Sequence, residues 1–238
     1  MLKIENLTKK YGEIIAVNNL SLEIADGEIC AFIGHNGAGK TTTLKACIGI
    51  LSFDEGNIFI DGKSIKDDPI LCKRNTAYIP DNPDLYDFLS GIKYLNFIAD
   101  VYGVLAEERN RKIKELSDRF EITDSLGSQI SSYSHGMKQK LALISAFLHS
   151  PKLILMDEPF VGLDPKAAHT LKEMMKEHCL RGGSIFFSTH VLDVAEKLCD
   201  RVAIIKDGGL IVHGDMDKVR GDSSLESVFL ELWEDRNA

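Results

Sequence analysis

The eight residues Gly34-His35-Asn36-Gly37-Ala38-Gly39-Lys40-Thr41 constrain this chain more than any other stretch of it. They fit G-x-x-x-x-G-K-[ST] completely and directly follow the short run Glu28-Ile29-Cys30-Ala31-Phe32-Ile33. That run is almost wholly apolar and ends in a glycine-rich loop, which predicts a strand buried on both faces. Residues 42–50, beyond the loop, are predicted to be helical. In a strand–loop–helix unit the glycines let backbone N–H groups curl inward at the positive end of the helix, making an anion nest. Lys40 can then reach β- and γ-phosphates, and the Thr41 hydroxyl can ligate Mg²⁺. A loop that only capped a helix would not need Lys-Thr at those positions. The stretch from Gly34 through Thr42 is therefore read as a nucleoside triphosphate site.

A chain of 238 residues with 44% hydrophobic and 27% charged residues can bury a sizeable core, as one large domain or two small lobes. Its formal net charge of -8 argues against a general nucleic-acid binder, because phosphate backbones attract basic faces. The five cysteines, Cys30, Cys47, Cys72, Cys179 and Cys199, form no C-x-x-C pair and read as reduced core thiols of a cytosolic protein. The chain opens on the strand-like Leu2-Lys3-Ile4-Glu5-Asn6-Leu7 with no apolar signal region. No apolar run approaches the roughly 20 residues of a membrane span. If the protein serves a membrane, another chain must do the crossing.

Hydrophobic spacing gives the organisation. Leu20, Leu22 and Ile24 alternate with polar residues, as in a half-buried strand, and residues 57–60 read as a strand entering a turn at Asp61-Gly62. From about residue 84 to 150 the spacing turns helical: Ile92, Leu95, Ala99 and Tyr102, then Ile113, Leu116 and Phe120. Glu107, Glu108, Arg109, Arg111 and Lys112 are read there as a solvated helix face. Strand–helix alternation then resumes with Leu153-Ile154-Leu155-Met156, a helix over 165–180 and a strand over 184–188. In that helix Ala167, Leu171, Met174 and Met175 read as the core face, and residues 225–233 read as a closing helix. Alternating strands and helices imply a mostly parallel sheet covered on both faces.

The strand Leu153-Ile154-Leu155-Met156 ends in two acids, Asp157 and Glu158. If it runs parallel to the strand before the phosphate loop, its end lies beside the phosphates. Asp157 then holds Mg²⁺, directly or through water, and Glu158 polarises the water that attacks the γ-phosphate.

With these residues in hand, the chain resembles the ABC ATPases. Tyr133-Ser134-His135-Gly136-Met137-Lys138-Gln139 is similar to their signature motif, usually LSGGQ, and Val161-Gly162-Leu163-Asp164 resembles their D-loop. Ser188-Thr189-His190 resembles the switch-histidine loop, and Tyr11-Gly12 the aromatic loop that stacks on adenine. The resemblance covers most of the chain and implies an α/β P-loop NTPase core with a mostly parallel sheet. An antiparallel β part near the N-terminus and an inserted helical subdomain belong to the same pattern. The boundaries expected are 1–83 and 151–238 for the core and 84–150 for the helical part of a single domain spanning 1–238. It also implies ATP and Mg²⁺ as cofactors, Tyr11 against the base, Ser134 and Gly136 at the nucleotide of a second subunit, Asp164 of the D-loop among the nucleotide-binding residues, and His190 at the γ-phosphate. One chain then carries two half-sites that cannot meet each other. The implied assembly is a head-to-tail dimer, with itself or a homologous ATPase subunit, working on membrane-spanning subunits at the cytoplasmic face of the cell membrane.

Two features depart from the common pattern. His135 and Met137 replace the usual glycine and glutamine of the signature, and S-x-G-M-K-Q with Tyr86-Asp87-Phe88-Leu89-Ser90-Gly91 resembles ATPases of ABC-2-type exporters. After Tyr78-Ile79-Pro80 the family places a glutamine that reaches the metal, whereas this chain has Asp81. The aspartate is expected to approach Mg²⁺ with a shorter reach, near a partner-docking face at Leu85, Tyr86 and Phe88. Two other readings compete. A soluble relative acting in DNA repair or on ribosomes would carry a long coiled-coil insertion or tandem cassettes, which this chain lacks. A scaffold that binds but barely hydrolyses ATP would not need both Glu158 and His190.

Overall fold

The computed structural model describes residues 1–234, the side chains of residues 233 and 234 excepted. The chain opens with antiparallel strands β1 (Leu2–Tyr11) and β2 (Ile14–Ile24), followed by β3 (Ile29–Ile33) and helix α1 (Lys40–Cys47). Strands β4 (Glu55–Ile60) and β5 (Lys63–Ser64) form a hairpin across the Asp61-Gly62 turn, and helix α2 (Pro69–Arg74) leads into β6 (Thr76–Ile79). Three long helices follow: α3 (Gly91–Val101), α4 (Ala106–Arg119) and α5 (His135–Leu148). Alternation resumes with β7 (Leu153–Asp157), α6 (Pro165–Leu180), β8 (Ser184–Thr189), α7 (Leu192–Leu198) and β9 (Arg201–Lys206). The described chain closes with β10 (Gly209–Asp215), α8 (Met216–Arg220) and α9 (Leu225–Glu234).

These strands make two sheets. A four-stranded antiparallel sheet has the order β2-β1-β4-β5, and a six-stranded sheet has the order β10-β9-β3-β8-β7-β6. In the larger sheet the strands from β9 to β6 are parallel and only β10 runs antiparallel, at the edge.

Because successive side chains point to opposite faces of a strand, each central strand feeds two cores. Ile29, Ala31, Ile33, Ile154, Met156, Ile185 and Phe187 pack with the apolar faces of α3 to α7. Cys30, Phe32, Leu153, Leu155 and Phe186 pack on the other side with α1 and the antiparallel sheet. Every residue of β3, β7 and β8 is buried, polar ends included, as the apolar runs at their centres predict. All five cysteines are buried free thiols.

Helix α1 begins two residues before the expected Thr42 and ends at Cys47, because Gly39 caps it and the chain turns at Gly49. The α4 charges are more than a solvated face. Lys112 donates to the Leu148 carbonyl at 3.2 Å and to Ser150 Oγ at 2.8 Å, pinning α4 to the end of α5, and Arg109 pairs with Asp100 on α3. Among the described residues no helix is long and apolar enough to cross a membrane.

Candidate active site

The loop between β3 and α1 is shaped by close contact as much as by sequence. Gly39 stands at φ +107°, and a β-carbon there would meet the Ala16 carbonyl oxygen of β2 at 2.4 Å, so only glycine fits. The Lys40 side chain folds back over the loop, its ammonium donating to the carbonyls of Gly34 at 2.6 Å and His35 at 3.3 Å. It also lies 3.9 Å from Glu158 Oε1. Burial pulls the Lys40 pKa below the ordinary lysine value, while the charges of Glu158 and Asp157 act against that shift.

Asp157 and Glu158 arrive on β7. Strand β8 lies between β3 and β7, so the acids reach the loop because α1 crosses over the sheet and packs on β7. Thr41 Oγ1 donates to Asp157 Oδ2 at 2.5 Å, and Ser188 Oγ donates to the other oxygen of the same carboxylate. Asp157 is 2% exposed. Glu158 has φ +47°, uncommon for a residue with a side chain, and its N–H is held by the Ser188 carbonyl at 3.2 Å and the Ser188 hydroxyl at 3.0 Å. Its carboxylate meets His190: Oε2 lies 3.0 Å from the ring Nδ1 and accepts from the backbone N–H at 3.4 Å.

A cleft of about 220 Å³ gathers these groups. His35, Asn36, Gly37, Gly39, Lys40, Thr41, Thr42, Asp81, Asp157 and Glu158 line it, together with Ala16. Asp81 thus stands in the same cleft as the Thr41–Asp157 pair. Gly34 and Ala38 lie beneath the lining, Gly34 supplying a carbonyl to Lys40 and Ala38 accepting from the Gly208 N–H at 3.0 Å. His190 stands at the edge, 60% exposed, attached through Glu158. Tyr11 lies outside the lining, half-exposed where β1 pairs with Ile14 of β2, with the Lys9 ammonium 5.2 Å from its ring centroid. A larger cleft of about 570 Å³ opens elsewhere, beside Arg111, Arg119, Glu177 and His178, and its arginines are already paired with Glu115 and Glu177.

The signature residues form a separate cluster. Ser134 caps α5, its hydroxyl accepting from the Met137 N–H at 3.3 Å. Gly136 lies so close to Gly162 that a β-carbon on it would sit 2.8 Å from the Gly162 carbonyl oxygen. Asp164 caps α6 through the Ala167 N–H at 2.9 Å, and Lys140, 2.8 Å away, holds its carboxyl below the usual range. None of Ser134, Gly136 or Asp164 lines the 220 Å³ cleft.

Ser188, in the sequence only the first residue of Ser188-Thr189-His190, binds both Asp157 and the backbone of Glu158. The signal for that role is the adjacency of β7 and β8, which no spacing in the sequence displays. The Gln139–Pro159 bond and the contact of the Phe229 ring of α9 with His35, 5.3 Å between centroids, likewise leave no signal in the sequence.

Comparison with known proteins identifies the family. A family model described as ABC transporter matches residues 17–161. The ABC-type transporter ATP-binding protein EcsA of Bacillus subtilis (strain 168) is 35% identical over 237 residues, covering 98% of this chain and 96% of that protein. A solved ATP-binding subunit of an ABC transporter superposes with a TM-score of 0.95 at 36% identity, covering 98% of this chain and all (100%) of the other. The dimeric post-hydrolysis structure of the ATP-binding cassette MJ0796, bound to ADP and Pi, superposes with a TM-score of 0.82 at 26% identity, covering 91% and 99% of the two chains. The chain belongs to the ABC transporter family: it is an ATPase, the ATP-binding subunit of such a transporter.

Proposed function

We propose that this chain is the motor of an exporter. It binds Mg-ATP in the cleft, closes head to tail on a second copy or a homologous ATPase subunit, and drives separate membrane-spanning subunits from the cytoplasmic face of the cell membrane. One observation carries this reading. Lys40, Thr41, Asp81, Asp157 and Glu158 meet around one cleft, while Ser134, Gly136 and Asp164 cluster outside it. A second phosphate-facing helix end that cannot serve its own cleft is free to complete a neighbour's, and the MJ0796 cassette is itself dimeric.

Each group then takes the role its motif implies, Tyr11 from outside the cleft lining. The nest and Lys40 hold the phosphates, Tyr11 offers its ring to the base, and Glu158 orients the attacking water and draws on its proton. His190, bonded to Glu158, contacts the γ-phosphate and registers its loss. The residues present fit Mg²⁺: the Thr41 hydroxyl and the Asp157 carboxylate are hard oxygen donors already 2.5 Å apart, with Asp81 in the same cleft. When bound, the ion neutralises charge developing on the transferred phosphoryl group.

Residues 84–150 act as a helical subdomain against a core of 1–83 and 151–238. Tyr86, Phe88 and Phe97 expose 48%, 75% and 44% of their surface there, an aromatic patch suited to the membrane subunit. Export follows the S-x-G-M-K-Q signature and the Tyr86-to-Gly91 stretch.

Mixing two inactive variants tests the arrangement. Lys40→Ala loses its own cleft, and Ser134→Arg blocks the neighbour's. Their mixture contains heterodimers with one intact composite site, so phosphate release reappears on mixing. A mixture as inactive as its components contradicts head-to-tail assembly.

A further inference from the structure

Gln139 stands one turn inside α5, fully buried, and its amide Nε2 donates to the Pro159 carbonyl at 3.3 Å. Its Oε1 is buried with no hydrogen-bond partner among the described residues. An apolar residue of the same length would avoid that desolvation cost, so packing alone does not explain an amide here. What the amide adds is the bond to Pro159.

Pro159 follows Glu158, whose left-handed backbone persists only if its surroundings over-determine it. Ser188 fixes the amide side of Glu158. On the carbonyl side the Glu158 carbonyl accepts from the Val161 N–H at 3.1 Å, which closes the turn. Pro159 within that turn has no N–H, and its carbonyl is held from outside by Gln139. The same helix grips the loop twice more, through the Gly136–Gly162 approach and the 2.8 Å Lys140–Asp164 ion pair. The first turns of α5 and the loop from Glu158 to Asp164 therefore form one packed unit.

We infer that Gln139 is a positioning residue for hydrolysis: through Pro159 it sets the backbone of Glu158 and links that glutamate to the Ser134 end of α5. The inference rests on the reading of Glu158 as the group that orients water. Movement of the α5 N-terminus on engaging a second copy is then felt at the chain's own hydrolytic carboxylate.

The test compares the full-length wild type with Gln139→Met and Gln139→Glu, measuring steady-state phosphate release and the affinity for a fluorescent ATP analogue. Methionine fills the space but cannot donate. Its kcat falls by about tenfold or more while the analogue's Kd stays within about twofold, because small misplacements act on the chemical step. Glutamate donates only when protonated, which burial favours. Its kcat relative to wild type at the same pH therefore rises as pH is lowered from about 8 to about 6. A Gln139→Met enzyme within about twofold of wild type, or one losing kcat and affinity equally, overturns the inference. A Gln139→Glu ratio that stays low at every pH also overturns it, and decides the matter alone if the methionine variant does not fold. Because each arm is read as a ratio, a wild type without turnover would instead show up as failure of the proposed function, and this assignment would fall with it.

Discussion

Gly37 and Gly39 lie two positions apart in the phosphate loop, yet alanine at the two sites meets different physics. At Gly37, φ is +83° and an added β-carbon finds nothing within 4 Å. At Gly39, φ is +107° and the β-carbon falls 2.4 Å from the Ala16 carbonyl oxygen and 3.3 Å from Ile205 Cδ1. Both substitutions carry the cost of a left-handed backbone, about 1–2 kcal/mol. Only Gly39→Ala adds an overlap with strand backbone, which cannot swing away as a side-chain tip can; overpacking of that kind costs about 1–3 kcal/mol more. Urea unfolding of both variants therefore shows Gly37→Ala losing about 1–2 kcal/mol and Gly39→Ala about 2–5 kcal/mol, from a total of about 5–15 kcal/mol. Gly39→Ala also displaces the N–H groups of the nest, so ATP no longer raises its unfolding midpoint. Equal losses in the two variants, or ATP stabilisation surviving in Gly39→Ala, would refute the claim that contact with β2 shapes the loop.

Three further outcomes follow from the same geometry. Lys40→Ala removes a charge-assisted donor, and nucleotide titration shows Kd weakened by about 10- to 150-fold, equivalent to about 1.5–3 kcal/mol; an unchanged Kd contradicts the site. Asp81→Ala leaves ATP affinity within about tenfold, roughly 1.4 kcal/mol, but lowers partner-stimulated hydrolysis more than basal hydrolysis. Equal loss in both rates would make Asp81 purely catalytic. Burial holds the His149 imidazole, stacked on Tyr102 at 3.6 Å, at about 4 against an ordinary 6.5. The unfolded chain thus takes up a proton near pH 6.5 that the native chain refuses until about pH 4. Its contribution is complete above pH 6.5 and is lost as pH falls through that window, by at most about 3 kcal/mol. Urea midpoints followed against pH flatten there in His149→Gln, and an identical slope in the variant contradicts the assignment.

Much of the site was legible because its chemistry is local. The phosphate loop, the Asp157-Glu158 pair and His190 each end an apolar run, and such runs become buried parallel strands whatever their neighbours. Strand order was not legible. Nothing in the spacing says that β8 lies between β3 and β7, so Ser188 could not be seen to hold both Asp157 and Glu158. The strand β6, only four residues long, and the helix α2 give too little periodicity to read, although β6 carries the chain to Asp81. Arg109 and Lys112 looked solvated because a charge on a helix looks the same from sequence whether it faces water or a neighbouring helix end. Gln139 was hidden for a related reason: a polar residue inside a helix has no pattern, and its partner Pro159 is 20 residues away.

The central claim is that two half-sites, one at the phosphate loop and one at the start of α5, are completed between two chains. Glu158→Gln keeps the shape of the hydrolytic side chain while removing its basicity, so Mg-ATP stays bound and the closed assembly accumulates. Sedimentation equilibrium of this variant decides the matter directly. With shared half-sites the variant sediments as a dimer in Mg-ATP and as a monomer without nucleotide. A variant that binds Mg-ATP yet sediments as a monomer at every concentration tested contradicts shared half-sites.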